Sequence, residues 1–134
     1  MALTRFSYDR EEDALRGGSK TAAGKNRVLP VHPKIKPYLQ TWLAKNGNTI
    51  ICDEDGHKIT AGFIGSIFLP VAEALELPQA TPHWCRHTFS SRLHAAGAPD
   101  LDIKRLLGHA DGDVTEHYTH TSIEQLRRSL LLLA

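Results

Sequence analysis

The chain has 134 residues, enough for one domain that buries about 70% of the surface of its unfolded chain. Lysine and arginine total 16 against 15 acidic residues, so the net charge of +1 gives no global nucleic-acid signature. Two cysteines are too few for a disulfide scaffold, and no apolar run approaches the ~18 residues of a membrane span. Composition therefore predicts a soluble, cytoplasmic domain with two free thiols, whose basic surface must come from local clustering.

A β-hairpin is predicted near the amino terminus. Residues 14–16 and 27–31 are short extended segments, and residues 17–26 between them are Gly-rich and basic. Pro33 then begins an amphipathic helix of about three turns that ends near Gly47. Its apolar positions recur at three- and four-residue spacing: Ile35, Tyr38, Leu39, Trp42 and Leu43.

The middle of the chain predicts a short extended piece, a turn and a second helix. Residues 49–52 are extended and residues 53–56 form the turn. Thr60 is placed to cap the helix that follows, which is rich in apolar residues. Pro70 is expected to kink or divide that helix, because proline removes a backbone hydrogen bond.

Three more helices are predicted in the second half. The first has Thr81 as its N-cap with proline at the next position, and Gly97 ends it. Asp100 caps a short helix that ends at Gly108. Residues 122–125 form a capping box for a last helix over residues 123–133. The coarse prediction is a single mainly α domain with one small β-hairpin.

His83 and Arg86 form an H-x-x-R string within the first of these helices. Residues three apart on a helix share a face, with about 5–6 Å between their Cβ atoms. The planar guanidinium binds phosphate bidentately, and the imidazole adds a donor or proton carrier beside it. An isolated H-x-x-R is most often an ordinary surface pair, so its significance depends on the neighbouring motifs.

Two further strings follow in fixed order, Leu-Leu-Gly-His ending at His109 and Tyr-Thr-His beginning at Tyr118. Together with residues 83–89, they resemble the carboxy-terminal motifs of the tyrosine recombinases, the phage integrase family. The resemblance extends back to residues 18–30, which are similar to that family's β-hairpin with its catalytic lysine. It covers roughly residues 14 to 130, and it implies the fold of the DNA breaking-rejoining enzymes.

The resemblance implies a metal-independent cleavage of DNA without a cofactor. Tyr118 would attack the scissile phosphate, giving a 3′-phosphotyrosyl bond and a free 5′-hydroxyl. Arg86 and His109 would bind the non-bridging oxygens, and His83 would accept a proton or position another group. Lys20 would protonate the departing 5′-oxygen, and Lys25 is the second candidate for that role.

The chain departs from the family pattern at its amino terminus. The family's first catalytic arginine lies in a helix upstream of the hairpin, and Arg5, Arg10 and Arg16 have no comparable motif around them. We therefore expect a catalytic domain truncated at its amino terminus, without the amino-terminal DNA-binding domains. Loss of one preorganised donor costs on the order of 10²–10³ in rate, so the activity of the isolated chain is in doubt.

The expected partner is double-stranded DNA. Cations that would contact its backbone phosphates are Lys25, Arg27, Arg92, Lys104 and Arg105. The last helix ends in four leucines, and the resemblance implies that it docks on a neighbouring protomer, giving a homo-oligomer on DNA. The general biological context implied is recombination and integration by a mobile element or a virus.

Two other classes of function compete with this interpretation. One is a non-catalytic DNA-binding or assembly module with the same fold. The other is a metal protein, suggested by His83, Cys85 and His87, but residues two apart on a helix face different ways. The chain has no H-E-x-x-H string and no cysteine pair at zinc spacing, so no metal site is predicted.

Overall fold

The computed structural model describes residues 3–17, 27–45, 47–108 and 122–133. That part of the chain forms a three-stranded antiparallel sheet, of which the sequence predicts two strands, and the five α-helices that the sequence predicts. The strands are β1 (Tyr8–Asp9), β2 (Ala14–Arg16) and β3 (Val28–Pro30). The helices are α1 (Lys36–Ala44), α2 (Ala61–Ala74), α3 (Pro82–Ala95), α4 (Asp100–Leu107) and α5 (Ile123–Leu131).

The predicted hairpin is confirmed as β2 paired with β3, with Leu15 opposite Leu29. Its tip, residues 18–26, lies outside the described residues. A third strand, β1, pairs with the other side of β2 and was not predicted, because two residues carry no readable alternation. Asp9 supports the turn between β1 and β2 by accepting hydrogen bonds from the backbone N–H groups of Glu11 and Glu12.

The predicted helix after Pro33 is confirmed, although α1 begins at Lys36 because residues 33–35 form a turn. Thr60 caps α2 as predicted, accepting a hydrogen bond from the Phe63 N–H at 3.3 Å. Of the two effects predicted for Pro70, division of the helix is wrong, since α2 runs through that residue as one helix, and a kink stays a prediction. Ser66, whose carbonyl loses its helical partner there, is exposed, so water can solvate that carbonyl.

Residues 49–52 form isolated bridges rather than a strand. Thr49 pairs with Thr4, and Cys52 pairs with Lys58 across the predicted turn at residues 53–56. Gly56 in that turn has φ of 84°, a left-handed value that favours glycine. Cys52 is buried, and neither it nor the exposed Cys85 forms a disulfide, as the composition predicts.

The boundaries of α3 and α4 follow the predicted stop signals. Thr81 is the N-cap of α3, and Gly97, with φ of 81°, follows its end. Gly108 ends α4 with φ of 68°. The N-cap of α4 is Pro99 and not Asp100, whose Oδ1 lies 3.3 Å from His94 Nδ1 instead.

Two apolar clusters form the core of the described structure. The larger joins α3, α4 and α5 through Leu93, Ile103, Leu106, Leu107 and Leu126. The smaller joins α1 to the segment after β3 and to residue 50 through Val31, Leu39 and Ile50. Helix α2 contributes little to either cluster, since its one buried residue among those described is Ala72. Most of its large apolar side chains stay exposed: Phe63, Ile64, Ile67, Leu69 and Val71.

Candidate active site

The first turns of α3 carry His83 and Arg86. Proline at the first helical position fixes the backbone there, and the i, i+3 spacing places both residues on one face. His83 is exposed, and its ring meets the His87 ring edge-on, with 4.8 Å between centroids. Arg86 is half-buried, so its guanidinium lies against neighbouring backbone while His83 remains open to solvent.

The guanidinium of Arg86 reaches the end of α4. Its Nη2 donates a 2.6 Å hydrogen bond to the carbonyl oxygen of Leu107. Carbonyls in the last turn of a helix lack intrahelical partners and carry partial negative charge, so a cation there is stabilised. Gly108 follows in the left-handed conformation, and the chain continues directly to residue 109. Arg86 is thus fixed beside the segment that leads to the predicted His109.

Arg27 lies at the same place but comes from the base of the hairpin. A Cβ atom added at Gly108 would lie 3.1 Å from Arg27 Cζ and 3.2 Å from Arg27 Cδ, so the arginine packs against the glycine backbone. Burial lowers the pKa of the Arg27 guanidinium, and the positive charge of Arg86 lowers it further. The sequence predicted Arg27 only as a general DNA contact and gave no sign that it is paired with Arg86.

Four predicted site residues lie outside the described residues: Lys20, Lys25, His109 and Tyr118. Three further predicted DNA contacts are described, and the structure distributes them over different surfaces. Arg92 on α3 lines an apolar cavity with Trp84 and Leu133. Lys104 on α4 is exposed at a separate cleft between α3 and α4, and Arg105 is half-buried.

The arginines near the amino terminus are engaged elsewhere in the structure. Arg5 Nη2 donates to the Leu43 carbonyl oxygen at 3.1 Å, and Arg16 pairs with Asp9 and Glu12. These contacts stabilise the sheet and its junction with α1. In the described part of the chain, Arg5 and Arg16 therefore have structural roles.

A buried carboxylate that sequence reasoning missed fixes α5 on α4. Asp102 is fully buried and accepts hydrogen bonds from Gln125 Nε2 at 2.9 Å and Ser129 Oγ at 2.6 Å. Gln125 was predicted as part of the capping box, and its backbone N–H does bond to Ser122 Oγ. Its side chain serves the inter-helix contact instead. No spacing rule signals a pair 23 residues apart.

One group of possible metal ligands occurs among the described residues, at Asp53, Asp55 and His57. It lies in the exposed turn after Cys52, where Asp53 Oδ1 accepts a hydrogen bond from the His57 N–H and so stabilises the turn. Among the described helices, none combines the length and apolar character that a bilayer crossing requires.

Comparison with known proteins agrees with the motifs. The sequence profile of the phage integrase family matches residues 14–125, most of the chain. The chain therefore belongs to the phage integrase family, the tyrosine recombinases, as its motifs predict. No solved structure gave a significant match.

Several relatives are proteins named tyrosine recombinase XerC. The protein from Pseudomonas putida is 32% identical over 110 residues, covering 77% of this chain and 36% of the relative. That from Pseudomonas syringae pv. syringae is 33% identical over 134 residues, covering 92% and 44%. That from Bifidobacterium longum is 27% identical over 119 residues, covering 77% and 34%. The chain spans less than half the length of these relatives.

Proposed function

We propose that this chain is the carboxy-terminal portion of a tyrosine recombinase catalytic domain, which cleaves and rejoins DNA in site-specific recombination. Family membership supports recombination as the general function. The observation that carries the site assignment is the hydrogen bond from Arg86 to Leu107, since it holds that guanidinium at the end of α4, two residues before His109 in the sequence.

The proposed reaction exchanges one phosphodiester for another. The Tyr118 hydroxyl attacks the scissile phosphorus, loses its proton, and forms a 3′-phosphotyrosyl bond as the bond to the 5′-oxygen breaks. Lys20, or else Lys25, donates a proton to that leaving oxygen. Arg86 and His109 stabilise the charge on the non-bridging oxygens, and His83, which is exposed, accepts or relays a proton. The bond energy is retained in the protein–DNA link, so no nucleotide cofactor is required.

The test is covalent trapping on DNA that carries a nick near the cleavage position, so that the cleaved strand diffuses away. A relative's recombination site supplies the DNA. We expect an adduct that survives denaturation and that Tyr118→Phe abolishes. Tyr38→Phe is the matched control, because Tyr38 is 71% exposed on α1, away from the site. An adduct that persists in Tyr118→Phe would refute the assignment of the nucleophile.

A non-catalytic DNA-binding or assembly module is the second candidate. One observation favours it: Arg86 already has a backbone partner, so it can stabilise the fold without touching DNA. This candidate predicts DNA binding that weakens steeply with added salt, but no adduct with nicked DNA. Adduct formation by the wild-type chain would eliminate it.

We also propose that the protein assembles on DNA as a homo-oligomer through the end of α5. Most of α5 packs within its own chain, where Leu126 and Leu130 are buried. Leu131 and Leu132 remain 42% and 46% exposed, so they are the apolar surface left for a partner. Sedimentation on DNA should show larger species that Leu131→Glu with Leu132→Glu removes. An unchanged distribution in this double variant would contradict the proposal.

A further inference from the structure

Arg27 is held by the fold at a place where no described carboxylate pairs with its charge. Its backbone carbonyl accepts a 3.0 Å hydrogen bond from the Gly17 N–H, which closes the base of the hairpin. Its Nε is buried and has no hydrogen-bond partner among the described residues. Buried donors in folded proteins are nearly always paired, so an unpaired one points to a missing ligand atom or solvent.

The neighbour of Arg27 is a second cation. Arg86 donates to Leu107 while Arg27 packs on Gly108, so two guanidinium groups meet over adjacent residues at the end of α4. Among the described residues, neither arginine forms an ion pair with a carboxylate. Like charges held together in a partly desolvated site repel, and an anion bound between them removes that repulsion.

We propose that Arg27 is a second phosphate-binding arginine of the reaction site, acting with Arg86 on the same phosphodiester. This inference rests on the proposed function and adds a residue to it. The planar guanidinium of Arg27, the residue before β3, and that of Arg86 on α3 approach one phosphate from two directions, which fixes the orientation of the phosphate and neutralises its charge. Arg27 thereby supplies a second arginine from the hairpin base, where the motifs show no counterpart of the family's upstream arginine.

Binding of inorganic phosphate to the chain tests the pairing directly. The dissociation constant is obtained from the rise in melting temperature with phosphate concentration, at ionic strength kept constant with chloride. We expect Arg27→Gln and Arg86→Gln each to weaken phosphate binding roughly tenfold or more, as expected for loss of a charged hydrogen-bond donor. Arg128→Gln is the matched control, because Arg128 is an exposed arginine on α5, and it should leave the constant unchanged.

A conservative variant separates phosphate binding from a purely structural role. Arg27→Lys keeps the positive charge but lacks the planar fork, so it should still weaken phosphate binding several-fold while melting in chloride near the wild-type temperature. If Arg27→Gln does not fold, as shown by loss of the native circular dichroism spectrum, the phosphate affinity of Arg27→Lys is compared with that of the wild type instead.

The outcomes distinguish this inference from the proposed function. If Arg86→Gln weakens phosphate binding and both Arg27 variants bind like wild type, the role of Arg27 is refuted while the recombinase site stands. If the wild-type chain shows no phosphate-specific stabilisation, the paired-arginine site is refuted as well. The trapping experiment with Tyr118→Phe then tests the proposed function, because that experiment does not depend on the role of Arg27.

Discussion

The Arg86 guanidinium donates a hydrogen bond to the carbonyl oxygen of Leu107, joining the first turns of α3 to the last turn of α4. The proposed catalytic arginine therefore also has a structural role. Because the donor is charged and the acceptor is a carbonyl at a helix end, the contact contributes to folding as well as to the geometry of the site.

We expect Arg86→Ala to lower the free energy of unfolding by about 1.5–3 kcal/mol, the usual range for a hydrogen bond to a charged group. Urea denaturation measures this. The same change should reduce adduct formation on nicked DNA by a factor on the order of 10²–10³. Arg128→Ala, at an exposed arginine on α5, should change stability by less than about 0.5 kcal/mol. Equal losses in the two variants would argue against the contact.

Gly108→Ala should destabilise the chain more than Gly97→Ala. Both glycines have left-handed φ values, 68° and 81°, so alanine costs roughly 1–2 kcal/mol at either position. A Cβ atom at residue 97 has open space, whereas one at residue 108 meets Arg27. The excess cost should disappear when Gly108→Ala is made in an Arg27→Ala background. An excess that persists there would place its cause elsewhere.

Asp102→Ala should be among the most destabilising single changes. It leaves the half-buried Gln125 donor and the buried Ser129 hydroxyl without an acceptor, and the unpaired Ser129 group alone costs about 1–3 kcal/mol. Asp100→Ala is the control, because that carboxylate begins the same helix but is 76% exposed. Chemical denaturation of both variants makes the comparison, and similar losses would contradict the role of Asp102 in holding α5.

The pH dependence of stability should reflect a cluster at Asp13. Asp13 Oδ2 accepts from Lys36 Nζ at 2.8 Å, and its Oδ1 accepts from the Tyr8 hydroxyl at 2.6 Å. Partial burial acts to raise the pKa of Asp13, but these hydrogen bonds outweigh it and lower the pKa. The hydrogen bond to Asp13 raises the pKa of Lys36 and also that of Tyr8.

The directions of these pKa shifts define the pH range in which the cluster stabilises the folded chain. The Asp13 contribution is present above its unfolded pKa, about 3.9, and is lost as pH falls through the lower folded value. The contributions of Lys36 and Tyr8 are present below about pH 10 and are lost as pH rises through their raised pKa values. Melting temperature should therefore fall at both extremes. Asp13→Asn should lower it at neutral pH and flatten the acid limb, whereas Lys34→Met, at an exposed lysine, should do neither.

Local signals in the sequence predicted most helix boundaries. Thr60, Gly97 and Gly108 act through their own backbone or through residues within one turn, so their effects can be read from the sequence. Asp102 and Arg27 could not be placed in this way, because their partners are more than 20 residues away and are brought near only by the packing of whole elements.

In the candidate site, too, local spacing predicts some features, whereas others depend on tertiary packing. The spacing of His83 and Arg86 predicted a shared helix face, which α3 provides. The meeting of Arg86 with Leu107 depends on how α3 packs on α4 through Leu93 and Ile103, and spacing gives no information on that. The predicted general DNA contacts are spread over several surfaces. The sequence shows that these residues are cations, but it does not show which surface each of them faces.

The uncovered apolar side of α2 has a consequence for the solution behaviour of this chain. The exposed side chains of Phe63, Ile67 and Val71 form an apolar stripe through which two molecules of the protein can associate. Transient clustering through it would stabilise the folded form by mass action, so the melting temperature should climb as the sample is made more concentrated.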